Sequence, residues 1–150
     1  MKKFIALMLV LVVALSLCAC GGAKSKYVGT YEKNTEVQGY YSGTDYPVQE
    51  ELILKRDGTG SCITRYSEDI TRYNNLTGNE VVFSAKKGDI YEKLSLTWEV
   101  VDDCAVVDFS GTRYTVYGQE EAISYSQTYE IKANKLFYIN SDIVAFTKIK

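Results

Sequence analysis

The sequence predicts an all-β fold, an antiparallel meander closing into a small barrel, with a β-sandwich as the alternative. Three observations lead there. Leu94, Leu96, Trp98 and Val100 alternate with Ser95, Thr97 and Glu99, the period-two pattern of a strand with one buried face. Asp57-Gly58 stands between two strand-like runs, and both residues tolerate the positive φ of a hairpin turn. Past residue 26 no stretch holds helical spacing over a useful length. Short strands with one apolar face each leave open edges, and closure or face-to-face packing removes them.

In chain order, the first strand is expected over Tyr27 to Lys33, and a polar loop rich in Gly, Ser and Tyr runs from Asn34 to Pro47. Glu50 to Lys55 and Ser61 to Tyr66 form the hairpin; with Asp57 and Gly58 at its tip, Leu54 faces Ser61 and Ile53 faces Cys62. Ser67 to Gly78 reads as a polar connection, and strands resume around Val81 to Lys86. Leu94 to Val100 pairs through an Asp102-Asp103 turn with Cys104 to Phe109. Thr112 to Tyr117, Ile123 to Lys132, Leu136 to Ile139 and Ile143 to Lys148 complete eight to ten strands.

The amino terminus is of another kind. Lys2 and Lys3 precede an apolar run from Phe4 to Leu15, too short to cross a bilayer comfortably. It is followed by Leu17-Cys18-Ala19-Cys20, which resembles the bacterial lipoprotein box, an apolar residue three places before a cysteine and a small residue directly before it. The resemblance implies cleavage after Ala19 and acylation of Cys20 by a diacylglycerol, with palmitate-like chains in the extracytoplasmic face of the bacterial cell membrane. Two acyl chains anchor stably where one is marginal. The expected organisation is a signal peptide over residues 1–19, a tether over 20–26 and one domain over 27–150.

Removing residues 1–19 takes away two lysines and no acidic residue, so the net charge moves from -2 to -4. A mildly acidic, evenly charged chain lacks the basic face that nucleic acid needs. Histidine is absent, which removes the commonest general base and most zinc and haem sites. No metal, no cofactor and no enzymatic activity are expected.

The order of cues resembles the small bacterial lipocalin-like domain. Gly29-Thr30-Tyr31 stands near the start, Leu52 to Thr59 supplies Leu-x-Leu-x-x-Asp-Gly-Thr, Trp98 lies midway, and Tyr129 to Ile131 with Leu136 to Tyr138 flank a late turn. Tyr31 stands where lipocalins proper carry tryptophan. The resemblance implies a barrel that binds a small apolar or amphipathic ligand, or a peptide. The alternative is a structural or protein-interaction module with a filled barrel and Tyr-rich binding loops, its partner another envelope protein.

Candidate site residues follow. Tyr40, Tyr41 and Tyr46 lie in the first long loop and Tyr114 and Tyr117 near a later one, where apolar rings with polar tips suit a binding rim. Gln127 interrupts an apolar face and is either a ligand contact or a satisfied core amide. Cys62 and Cys104 both point away from the core by parity, so they are either bridged on the outer wall or two free thiols. The adjacent carboxylates Glu50-Glu51, Asp102-Asp103 and Glu120-Glu121 read as solvated turn charges.

Overall fold

The computed structural model describes residues 24–38, 45–73, 78, 80–114 and 119–150; Cys20, Tyr40, Tyr41 and Tyr117 lie outside them. Ten strands are present: β1 (Gly29–Gln38), β2 (Asp45–Leu54), β3 (Thr59–Tyr66), β4 (Ile70–Tyr73), β5 (Val81–Ala85), β6 (Ile90–Val101), β7 (Cys104–Tyr114), β8 (Glu120–Lys132), β9 (Lys135–Tyr138) and β10 (Val144–Lys148). Eight of them close an antiparallel barrel in the order β1-β10-β9-β8-β7-β6-β3-β2, and β4 pairs with β5 as a separate hairpin. The chain is thus an up-and-down meander with one excursion between β3 and β6. The barrel expectation holds, and the sandwich is set aside.

Turn chemistry sets the register. Asp102 and Asp103, both at positive φ, make a two-residue turn that pairs Val101 with Cys104. The β2–β3 turn differs from expectation. Lys55 N donates to Thr59 O at 2.9 Å and Gly58 N to Lys55 O at 3.1 Å, while Gly58 has φ 87°, so the loop holds three residues, Arg56 to Gly58. Leu54 therefore pairs with Gly60 and Leu52 with Cys62. A slip of one residue turns every side chain to the opposite face, and Cys62 points into the barrel, 3% exposed, not outward.

Several strands are longer than the sequence suggests. β1 and β2 pair over ten residues each, taking up most of the expected first loop. Part of the polar connection after Ser67 is strand β4. β7 runs unbroken through Gly111, where a Cβ would lie 2.2 Å from the Lys93 carbonyl oxygen, so the close approach of β6 admits only glycine.

Apolar packing is concentrated in one half of the barrel. Tyr31, Leu52, Leu54, Leu94, Leu96, Trp98, Val107 and Leu136 are buried there. Burying each such side chain contributes about 1.5–3 kcal/mol. Residues 24–27 form a helical turn that plugs this end. Tyr27 is fully buried and its hydroxyl donates to Asp103 O at 2.6 Å; Tyr31 Oη donates to Tyr27 O at 2.7 Å. Lys24 Nζ lies 5.0 Å from the Trp98 ring centroid. Residues 24–26, read as tether, are therefore packed on the barrel. At the other end the β4–β5 hairpin lays Ile70, Phe83 and Ala85 against Tyr46, Val48 and Tyr66.

Candidate functional site

Two residues beyond the packed layer, the inward position turns polar on strand after strand. Lys33 follows Tyr31, Glu50 precedes Leu52, Thr64 follows Cys62, Glu92 precedes Leu94 and Gln127 precedes Tyr129. These side chains, with Arg113, surround a cavity of about 420 Å³ whose aromatic walls include Tyr91, Phe109, Tyr125, Tyr129, Tyr138 and Phe146. The volume falls within the range of small-molecule sites. The Arg113 side chain is 38% exposed and Tyr125 is 44% exposed although both line the cavity, so the cavity is open to solvent. The interior is not filled by its own side chains.

Its charges are not equivalent. Arg113 Nε donates to Glu92 Oε2 at 3.0 Å and Nη2 stands 2.9 Å from the same oxygen. Burial disfavours the guanidinium's charge, but the bond to Glu92 and that carboxylate's charge outweigh it and raise the Arg113 pKa. Glu50 sits opposite Lys33 in the β1–β2 register, yet no ion pair engages its carboxylate among the described residues. Lys33 Nζ lies over rings instead, 5.9 Å from Tyr138 and 6.0 Å from Phe146. Burial pushes the Glu50 carboxyl above the usual carboxylate range, Lys33 pulls it part of the way back, and Glu92 adds to the rise.

The phenols of Tyr125 and Tyr129 are held well above their ordinary value by burial, so they stay neutral donors. Burial, then the nearby Glu50 and Glu92 charges, also pushes the Cys62 thiol up, which keeps it protonated and a poor nucleophile at neutral pH. Stacked rings add definition to the wall: Phe109 and Tyr125 lie 4.8 Å apart at 20°. The arrangement can hold a molecule with an apolar body against the rings and a polar group at the Lys33–Glu50 level.

Of the residues the sequence singled out, Gln127 lines the cavity, its Nε2 donating to Thr128 O at 3.3 Å. Tyr46 does not belong to the cavity rim. It is 4% exposed and packs on Phe83 with ring centroids 5.5 Å apart, because β2 starts at Asp45 and turns it inward beneath the hairpin. Tyr114 ends β7, half-buried and off the cavity wall. Cys62 and Cys104 are free thiols. Cys62 lines the cavity at the level of Leu94, and Cys104 lies at the level of Val101, seven residues away along β6 or about 23 Å at roughly 3.3 Å per residue. A bridge needs Cα atoms within about 7 Å.

Glu50 is also corrected, from a solvated turn charge to a cavity residue in the middle of β2. Asp102 and Asp103 do form an exposed turn, and Glu120 and Glu121 are exposed at the start of β8. Lys33, Glu92, Arg113 and Tyr125 were legible only by carrying the inward parity of Tyr31, Leu94, Phe109 and Tyr129 along each strand past the last apolar residue. No family model matches this chain, and neither a curated protein nor a solved structure does.

Proposed function

We propose that the chain is a lipid-anchored protein of the bacterial envelope, non-enzymatic, whose barrel binds a small amphipathic molecule. The observation that carries this reading is the polar belt of Lys33, Glu50, Thr64 and Gln127 set beside aromatic walls in a cavity of about 420 Å³. A purely apolar ligand would strip water from Glu50 and Lys33 without replacing its hydrogen bonds, which costs free energy. A ligand with a polar or charged head satisfies them. Its apolar body gains by burial against Phe109, Tyr129 and Phe146. The anchor rests on the resemblance of Leu17 to Cys20 to a lipoprotein box.

Native mass spectrometry of the mature chain purified from its source cell tests the reading. A reproducible bound mass that is lost on denaturation, and reduced in Lys33→Gln and Glu50→Gln, is the expected result. Bare protein in every preparation counts against it. A second reading, an interaction module, is favoured by the exposed apolar side chains Ile139 and Ile143 between β9 and β10 and Val144 at the start of β10.

A further inference from the structure

The barrel is electrically polarised along its axis. Five segments meet at the plugged end: residues 24–27, 55–58, 101–104, 132–135 and 148–150. Contacts between them fix the assembly, with Tyr27 Oη donating to Asp103 O at 2.6 Å, Lys148 Nζ to Lys26 O at 3.4 Å and Lys148 N to Asn134 O at 2.8 Å. Their side chains include eight lysines and arginines against three aspartates. At the opposite end, the described residues within 36–38, 45, 65–73, 80–90, 113–114, 119–121 and 139–143 carry nine acidic side chains against five basic ones. A surplus of five positive charges thus faces one way and four negative charges the other, although the chain as a whole is acidic.

The positive charges at the plugged end are available. Lys26 is paired with Asp103 and Lys132 with Glu130. Lys55, Arg56, Lys135 and Lys150 are exposed and in no ion pair among the described residues. This is also the end from which the chain leads back to Cys20. Lys24 is four residues from Cys20, so the connection reaches at most about 14 Å at roughly 3.5 Å per residue. A basic face on so short a lead cannot swing away from the surface that holds it.

We propose that the plugged end of the barrel is a docking face for an anionic bilayer, which turns the cavity and its acidic surroundings away from the membrane. The proposal rests on the anchored reading for its location, but the face itself stands on topology and charge. Each Lys or Arg at an anionic surface strengthens association about fivefold. Dual acylation fixes the protein to the membrane, and the basic face fixes its orientation. The ligand then enters from the aqueous phase and not by lateral exchange from lipid. A free, untethered barrel would show the same preference for anionic lipid, only weaker.

Because β1 pairs with β10 and the barrel closes within residues 24–150, a chain beginning at Gly21 contains all of it and can be tested without acyl chains. The experiment is cosedimentation with phosphatidylcholine vesicles with and without phosphatidylglycerol. Binding only to the anionic vesicles, weakened by salt, is expected. The variant Lys55→Gln, Arg56→Gln, Lys135→Gln, Lys150→Gln should bind at least tenfold more weakly, and Lys86→Gln, Lys87→Gln at the other end should bind as the parent does. No binding, equal binding to both vesicles, or equal loss in the two variants overturns the proposal. The anchor is judged separately, by whether Cys20 takes up labelled fatty acid in the cell.

Discussion

Glu92 on β6 and Arg113 on β7 face each other across the ladder, with two guanidinium nitrogens converging on one carboxylate oxygen at 2.9 and 3.0 Å. Glu92 is only 7% exposed, so it depends on that partner in a way a surface carboxylate does not. Removing Arg113 leaves a buried charge uncompensated. Arg113→Met is expected to cost about 2 kcal/mol, and Glu92→Met in the same chain to recover most of it. Urea unfolding of the two single variants and the double variant measures the coupling.

Glu50 supplies a pH dependence of opposite sense to that of a salt-bridged carboxylate. Its pKa is raised on folding, so between the unfolded carboxyl's pKa, about 4.3, and the higher folded value the native state holds a proton that the unfolded chain has released. Stability from this group is therefore full below that window, falls as pH rises through it and stays lower at neutral pH. Glu50→Gln is expected to raise Tm at pH 7, lose that advantage near pH 4, and weaken ligand retention. Calorimetry across this pH range decides it, and a lower Tm at pH 7 would contradict the assignment.

Two cysteines on opposite faces should react differently. Cys104 is half-buried at the start of β7, whereas Cys62 is enclosed and its thiol is pushed up by burial. With a thiol-specific colour reagent on residues 21–150, which keep Cys62 and Cys104 of the four cysteines, one thiol per chain is expected to react quickly and the second only on unfolding. Cys104→Ser should abolish the fast phase. Air oxidation of folded protein should leave its electrophoretic mobility unchanged with and without reductant.

Tyr27 closes the barrel, with its ring 6.3 Å from Trp98 and its hydroxyl on Asp103 O. Burial, followed by the nearby Cys104, pushes its phenol up to about 12, as expected for a group sealed in the plug. Tyr27→Ala is expected to cost about 3–5 kcal/mol through the cavity it leaves, and Tyr27→Phe about 1 kcal/mol for the lost hydrogen bond. Chemical denaturation of both separates packing from bonding.

Ala133 and Asn134 join β8 to β9 with φ values of 48° and 62°. Asparagine tolerates that region, but alanine carries a Cβ penalty there. Ala133→Gly is expected to stabilise by about 0.5–1 kcal/mol, after the entropy that glycine loses on folding. A fall in the denaturation midpoint would show that the turn has another geometry.

Strand existence was legible wherever the inward face is apolar, as from Leu94 to Val100 or Ala105 to Phe109, because alternation is itself the record of one wet and one dry face. It faded where the inward face is polar. Lys33 and Glu50 interrupt the inward apolar pattern of β1 and β2, so both strands read as stopping there, and their continuation to Gln38 and back to Asp45 reads as loop. β4 was missed for a related reason, since within Ile70 to Tyr73 only Ile70 is buried.

By itself the sequence determined an antiparallel meander, because alternation and positive-φ turn residues act between neighbours along the chain. It also marked Leu17 to Cys20 and the absence of histidine, which no folding alters. The tertiary structure alone decided that Cys62 faces inward, through a single extra residue in the β2–β3 turn. It alone gathered Lys33, Glu50, Glu92 and Arg113 around one cavity, and the lysines of four separate segments around one end. Closure of a barrel brings together residues from every strand at the same height, and height is fixed by register summed over eight pairings, a quantity that no local pattern carries.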